Sequence, residues 1–350
     1  MKREKVLSLV LALAFLVTGC NASKETTAES TALGSAEETC DKIVFTDASD
    51  EVKAAQEHFE FNPHVYSGKI AERIPKDYWD SFYNLCDSLR KGEDTFKCTS
   101  QEAFNWATDA AVLCNYFPAA GAKVEPAYFE DGIGKIRYNI PVEDFLKRER
   151  DFEVLITNIL NSTIEKDDTE YERALKLYLY VANNYVYDTS LVENLTDDNF
   201  VYACFMEKRG MCVNFASIYA YLLLQVGVDA VNVGIYEENM CHSWTFVTIK
   251  GKSYHVDTTW ALRSDDSHDI LLDYFLMSDT ERINDGCSVK NLDVSVFPEA
   301  WANKTSVSFA APDYSYNLRS YCRFVSLDEK NKVVHYVDMY DAPQEFHYDI

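Results

Sequence analysis

The sequence predicts an α+β fold in which a helix packs on an antiparallel sheet. After Cys212, apolar residues recur at helical spacing until Gly227 ends the pattern. Further along, residues 242–249 and 253–258 follow the alternation of two strands on either side of a two-residue turn at 250–251. A helix followed by two adjacent strands, without the regular strand–helix alternation of a parallel sheet, favours an α+β core.

The start of the chain predicts export. Basic residues at positions 2, 3 and 5 precede an apolar stretch over residues 6–17, which is too short to span a membrane stably and is typical of a secretory signal. The tetrapeptide 17–20, Val-Thr-Gly-Cys, resembles a bacterial lipobox. We therefore expect a lipoprotein signal peptide over residues 1–19, lipid on Cys20, and anchoring at the extracellular face of a bacterial cell membrane. An ordinary signal peptide with another cleavage site is the alternative.

A tether and a mainly helical region are expected next. Residues 20–41 are rich in Ser, Thr, Ala and Glu without apolar periodicity, which is typical of a flexible segment. Residues 42–165 are globular in composition, and we expect them to pack on the domain that follows or to form a wall beside it. The predicted elements are a helix opened by Pro75 and running to about Arg90, a helix from a capping box at residues 99–102 to about Tyr116, a strand over residues 133–140, and a helix from Pro141 to about Leu160. In the tail after residue 278 we expect short strands, notably over residues 333–337, that could complete a sheet.

Three residues of the following segment have the chemistry of a thiol triad, in the order Cys212, His242 and Asp257. A thiol attacks an amide carbonyl as the thiolate, which needs a base, and the base works best when a third group fixes its tautomer. Cys212 begins the predicted helix, where unpaired backbone N–H groups and the positive end of the helix dipole favour a thiolate and could stabilise an oxyanion. These residue types therefore predict nucleophilic catalysis on amides.

The two strands predict how His242 and Asp257 meet. If residues 250–251 form a two-residue turn, 249 pairs with 252 and Trp244 lies opposite Asp257. His242 is then a diagonal neighbour of Asp257 on the same face of the sheet, with β-carbons about 7 Å apart. A loop of odd length would place the two side chains on opposite faces, so this prediction depends on the turn.

The segments that carry these residues resemble the core of the transglutaminase-like superfamily, which has a papain-type fold and a Cys-His-Asp triad. The resemblance spans about residues 169–279, and the departures from the commoner pattern, at residues 243, 245 and 258, leave the triad intact. Its main segments are Lys208-Arg209-Gly210-Met211-Cys212, His242-Ser243-Trp244 and Tyr254-His255-Val256-Asp257-Thr258-Thr259-Trp260.

The resemblance implies a catalytic domain over residues 166–350 in which a helix bearing the cysteine packs on a sheet bearing the other two residues. Cys212 would be the nucleophile, His242 the general base and acid, and Asp257 the orienting carboxylate. His255 shares a face with Asp257 and is a rival base, although its place beside the carboxylate is more typical of a structural residue. The remaining site predictions are that Cys241 packs in the interior and that Trp244 and Trp260 wall the cleft.

Composition limits the partners and cofactors. The net charge is −24, and no cluster of basic residues is present, so binding to nucleic acid is not expected. The cysteines and histidines lack metal-binding spacing, and we expect no cofactor. Apart from Cys20 and Cys212, eight cysteines remain, and they could form disulfides in an exported protein or stay as buried free thiols.

Taken together, the sequence predicts an exported lipoprotein that forms an acyl-enzyme on Cys212 from a protein or peptide substrate. Hydrolysis, by a cysteine peptidase or amidase, is the first interpretation, because water is always available whereas capture of an amine needs an acceptor site. A protein-cross-linking transglutaminase is the alternative enzyme. A binding scaffold with an inactive cleft is the alternative outside enzymes.

Overall fold

The computed structural model has the expected α+β architecture. The signal peptide, Cys20 and the tether predicted above lie outside the residues it describes. Those residues are 59–192, 201–237, 240–261, 269–290, 292–294, 296, 307–316 and 318–348.

The first part of the described chain combines helices with a small antiparallel sheet. The strand order in that sheet is β1-β3-β2. In chain order the elements are α1 (Gly68–Ala71), α2 (Lys76–Lys91), β1 (Thr95–Lys97), α3 (Gln101–Ala107), α4 (Ala110–Tyr116), β2 (Val124–Glu130), β3 (Ile133–Tyr138) and α5 (Val142–Thr163).

Most of these elements agree with the sequence-based prediction, and one does not. Pro75 and Pro141 immediately precede α2 and α5, as expected of a residue whose fixed φ suits a helix start. The single helix predicted from the capping box at 99–102 to about residue 116 is wrong, because the structure has two helices there. Ser100 caps α3 by accepting from Ala103 N, and the side chain of Asp109 caps a new helix by accepting from Ala111 N.

The second part contains the predicted helix and hairpin. Three strands form an antiparallel sheet in the order β6-β7-β8, and a short parallel pair, β4-β5, lies before the central helix. The elements are α6 (Glu170–Asn184), β4 (Val186–Tyr187), α7 (Val201–Glu207), β5 (Arg209–Gly210), α8 (Cys212–Gln225), β6 (Asp229–Glu237), β7 (Met240–Ile249), β8 (Lys252–Val256), α9 (Asp279–Asn284), β9 (Arg323–Asp328), β10 (Val333–Val337) and β11 (Pro343–His347).

Helix α8 is the centre of this part. Every residue of this helix except Val213 is buried, because one face of the helix lies on the sheet and another lies on α6. Thr245 of β7 donates its hydroxyl to Ala216 O at 2.9 Å, and Tyr219 donates to Ala174 O of α6 at 2.9 Å. These polar contacts fix the helix along the sheet, and they therefore fix where its first residue points.

Most of the buried apolar side chains of both parts belong to one cluster, which extends from Val65 to Tyr348. The N-terminal helices thus pack on the same core as α8, while the domain boundaries at residues 41/42 and 165/166 stay predictions. The strand expected over residues 333–337 is confirmed as β10, the central strand of a separate sheet with the order β11-β10-β9. Among the described helices, none combines the length and the apolar character needed to cross a membrane.

Candidate active site

The thiol of Cys212 lies at the first residue of α8, as the sequence predicted. The approach to it is held by the parallel pair of β4 and β5, and Asn214 Oδ1 accepts from Met211 N at 3.0 Å. Gly210 is needed there, because a β-carbon on it would lie 2.7 Å from the β-carbon of Asn214. Cys212 has no exposed surface, so a substrate carbonyl reaches the sulfur only after neighbouring residues move.

The hairpin has the register that the sequence predicted. Ile249 pairs with Lys252 and Thr245 pairs with Val256, so the next pair along the ladder would join Trp244 and Asp257. Lys250 and Gly251 form the two-residue turn with φ values of +50° and +76°, the left-handed conformation that this hairpin connection requires. The turn therefore places His242 and Asp257 on one face.

His242 and Asp257 are in direct contact. His242 Nε2 lies 2.6 Å from Asp257 Oδ2, and both side chains are buried. The other carboxylate oxygen, Oδ1, accepts from the backbone N–H groups of Thr259 and Trp260 at 3.0 and 3.1 Å. Burial opposes ionisation of Asp257, but the neighbouring cations and these N–H donors outweigh it and lower its pKa. Asp257 is thus a carboxylate that orients the imidazole.

The imidazole of His242 links the carboxylate to the thiol. Burial lowers its pKa, but the charge and hydrogen bond of Asp257 outweigh burial, and the nearby Cys212 adds to the rise, so the pKa is raised to about 9. With Nε2 bonded to Asp257, the second ring nitrogen, Nδ1, is the one left for exchange of a proton with the sulfur. The three predicted residues are therefore brought together in the order of a triad.

Arg282 is a site residue that the sequence analysis missed. It lies on α9, fully buried, and its Nη2 donates to Asp257 Oδ2 at 2.9 Å. Its Cζ lies 4.3 Å from the ring centroid of Trp244 and 4.4 Å from that of Trp260. Nothing in the local sequence identifies this arginine, because the contact joins residues that are 25 positions apart.

The two tryptophans lie around the histidine and the arginine. Trp260 stacks on His242 with ring centroids 4.6 Å apart and an interplanar angle of 14°. Trp244 is buried beside Arg282, and its Nε1 donates to His255 Nδ1 at 2.9 Å. Whether the tryptophans also wall a substrate cleft stays a prediction.

His255 has partners of its own. Since its Nδ1 accepts from Trp244, its Nε2 carries the proton and donates to Asp279 Oδ1 at 3.0 Å. Burial lowers its pKa, and Arg282 lowers it further, although Asp279 opposes both effects. In this geometry His255 is a neutral bridge between β7 and α9, whereas His242 is the imidazole beside the thiol.

None of the cysteines in the described part of the chain forms a disulfide. Cys241 and Cys212 form a small buried cluster with Tyr187 against it, which agrees with the prediction that Cys241 packs in the interior. The free-thiol alternative therefore holds for seven of the eight remaining cysteines, while Cys40 lies outside the described residues. The buried free thiols besides Cys212 are Cys86, Cys98, Cys114, Cys204, Cys241, Cys287 and Cys322.

Comparison with known families agrees with this geometry. Residues 157–258 match the sequence model of the transglutaminase-like superfamily, and this segment contains Cys212, His242 and Asp257. This segment belongs to the transglutaminase-like superfamily. Within the described residues, no group of three or more His, Cys, Asp or Glu side chains could hold a metal ion.

Solved structures that resemble this protein are distant. The crystal structure of a TGase is 20% identical with a TM-score of 0.28, and the alignment covers 41% of this chain and 47% of that chain. A candidate cysteine protease from Cytophaga hutchinsonii is 13% identical with a TM-score of 0.26, and the alignment covers 39% of this chain and 61% of that chain. The chain thus spans less than two thirds of either protein. Among curated proteins, none matches the sequence significantly.

Proposed function

We propose that this protein is a cysteine-dependent acyl-transfer enzyme that acts on peptide or side-chain amides, and that it is a hydrolase. The observation that carries the proposal is the position of Cys212, at a helix N-terminus and beside an imidazole whose pKa of about 9 reflects the buried Asp257 carboxylate. Such an imidazole accepts the thiol proton and holds it as an imidazolium near neutral pH.

The chemistry proceeds in two halves. His242 takes the proton of Cys212, and the thiolate adds to the amide carbon to form a tetrahedral oxyanion, which the N–H groups at the start of α8 stabilise. The imidazolium then donates its proton to the nitrogen of the leaving amine as the C–N bond breaks and a thioester forms. In the second half, water adds to the thioester with His242 as base, and the acid leaves as the thiol is restored.

Hydrolysis and cross-linking differ only in the second half. A transglutaminase uses a primary amine in place of water, and the family match is compatible with either outcome. We favour water because it outnumbers any amine acceptor, which would need a binding site to compete. The non-catalytic scaffold is disfavoured by an intact His242–Asp257 hydrogen bond next to the thiol.

We further propose that the enzyme acts outside the cell as a lipoprotein. The support is the sequence of residues 1–20 alone, an apolar segment of signal-peptide length that ends in Val-Thr-Gly-Cys. A lipid on Cys20 and the flexible tether after it would hold the catalytic body near the membrane surface, where its substrate would be a protein or peptide.

One experiment distinguishes the enzymatic outcomes. The full chain is incubated with a glutamine-rich protein substrate and a labelled primary amine at millimolar concentration, and the products are analysed by mass spectrometry. We expect a cut chain or a free acid with little incorporated label, and loss of product in Cys212→Ser. Cys98→Ser is the matched control, since that thiol donates to Ser100 O far from the triad in sequence.

Two results would contradict the proposal in different ways. Label incorporated in proportion to substrate consumed, and dependent on Cys212, would establish a transglutaminase in place of a hydrolase. No product of either kind across broad pools of proteins and peptides, with Cys212 still reactive towards an alkylating reagent, would favour the scaffold.

A further inference from the structure

The buried guanidinium of Arg282 shares an oxygen with the imidazole of His242. Oδ2 of Asp257 lies 2.6 Å from His242 Nε2 and 2.9 Å from Arg282 Nη2. The next carboxylate, Asp285 Oδ2, lies 3.9 Å from Arg282 Nη1. Asp257 is therefore the principal anionic partner of both cations.

The two indoles make this arrangement tolerable in the interior. Burial of a charge is costly unless the charge is paired and solvated by other groups. Trp244 and Trp260 enclose the guanidinium at 4.3 and 4.4 Å, where the π faces attract a cation. A flat, stacked guanidinium fits this space, whereas a compact ammonium ion would not stack in the same way.

Helix α9, which carries Arg282, is fixed to the strand that leads to Asp257. Met277 and His255 exchange two backbone hydrogen bonds at 2.7 and 2.8 Å, and Asp279 accepts from His255 Nε2. Ser278 and Glu281 form a capping box at the start of the helix. The arginine thus reaches the carboxylate from a rigid support.

We propose that Arg282 is a positioning residue of the triad, which holds the carboxylate of Asp257 towards His242 and limits the basicity of the imidazole. The inference rests on the proposed function. A buried ion pair by itself need not stabilise a fold, whereas the oxygen that Arg282 shares with His242 couples the guanidinium directly to the imidazole. With Arg282 present, the protonated His242 faces a second cation across the same oxygen, and this repulsion eases release of its proton to the leaving amine.

Four other ionisable groups near Asp257, His242 and Arg282 add no charge to this site near pH 7. Burial raises the pKa values of the nearby phenols and of one thiol, and burial lowers that of the nearby imidazole, so these groups are neutral near pH 7. They are Tyr178, Tyr274, Cys287 and His255. Asp285 is paired with Arg319 as well as lying near Arg282.

The test follows the ionisation of His242 without any substrate. The rate of Cys212 alkylation by iodoacetamide is measured as a function of pH in the full chain. We expect a step in this rate near pH 9, where His242 loses its proton. The variants are Arg282→Met, which removes the charge and keeps the length, and Arg282→Lys, which keeps the charge. Arg319→Met is the control, because Arg319 pairs with Asp285 and lies over Tyr274 at 5.8 Å without contacting Asp257.

We expect the step to move to higher pH in Arg282→Met, to stay near 9 in Arg319→Met, and to lie between the two in Arg282→Lys. With an amide substrate, Arg282→Met should lower kcat about 10- to 100-fold with KM little changed, as found for residues that orient a functional group through a hydrogen bond. Thermal unfolding identifies the temperature range in which each variant is folded.

A step that stays near 9 or moves down in folded Arg282→Met would overturn the inference and leave Arg282 as a structural residue. Because alkylation needs no substrate, this outcome is separate from failure of the proposed function, which would appear as an absence of turnover in the wild-type protein.

Discussion

Asp257 and His242 are diagonal partners across the hairpin of β7 and β8, joined by a 2.6 Å hydrogen bond from Nε2 to Oδ2. Their contact depends on the two-residue turn at Lys250 and Gly251, because a shift of one residue moves every side chain of a strand to the other face. The backbone N–H groups of Thr259 and Trp260 hold the second oxygen of the carboxylate.

Asp257→Asn should reduce turnover by roughly 10³- to 10⁴-fold, because an amide cannot fix the imidazole tautomer or stabilise the imidazolium. His255→Gln should cost far less, since His255 bonds Trp244 and Asp279 and does not bond Asp257. Both are measured as kcat/KM on an amide substrate, with unfolding followed in parallel. Equal losses in the two folded variants would show that the histidines have been assigned wrongly.

Cys212 should be the most reactive thiol of the chain. It lies at a helix N-terminus beside an imidazole of raised pKa, whereas burial raises the thiol pKa of Cys204 to about 12 and of Cys287 to about 11. Limiting iodoacetamide at mildly acidic pH, followed by peptide mass spectrometry, should find label mainly on Cys212. Label spread evenly over several cysteines would count against the assignment.

The activity should fall in alkaline solution as His242 loses its proton. In the proposed mechanism the acid form of His242 protonates the leaving amine, and this form is present below its pKa of about 9 and lost above it. In Asp257→Asn the carboxylate that raises the pKa is gone while burial still lowers it, so the alkaline limb of kcat/KM should move to lower pH. His255→Gln is the control and should keep its limb near 9. A limb at the same pH in all three proteins would exclude His242 as the titrating acid.

The mature protein should be held at the membrane by lipid on Cys20. Cys20→Ala should therefore release the chain into the medium or block its maturation, because a single modified cysteine is the predicted anchor. Detergent-phase partitioning of cell extracts measures the difference, and Cys40→Ala is the matched control. Recovery of Cys20→Ala in the detergent phase to the same extent as wild type would reject lipid anchoring.

Much of the catalytic geometry could be predicted from the sequence, because it depends on local periodicity. Helical spacing after residue 212 located the start of α8, and a turn of two residues determined that His242 and Asp257 share a face. Strand alternation likewise located β10 over residues 333–337. Each of these features is a short-range property of the chain, set by 3.6-residue or two-residue repeats.

Other features could not be predicted from local sequence patterns. The helix predicted to run to about residue 116 is interrupted, because the carboxylate of Asp109 competes for the backbone and caps a second helix. Similarly, the even number of remaining cysteines, eight, left disulfides and free thiols equally possible, and only the positions of the sulfurs in space show that the described ones form no disulfide.

The sequence by itself determined the residue types of the triad and the helix that starts at Cys212. It also determined the two-residue turn that places His242 and Asp257 on the same face of the sheet. Only the tertiary structure decided that Arg282 lies between Trp244 and Trp260 and donates to the same carboxylate oxygen as the histidine. The physical reason is that this contact arises from packing of α9 on the sheet. A buried cation is located by the partners that compensate its charge, and those partners are distant along the chain.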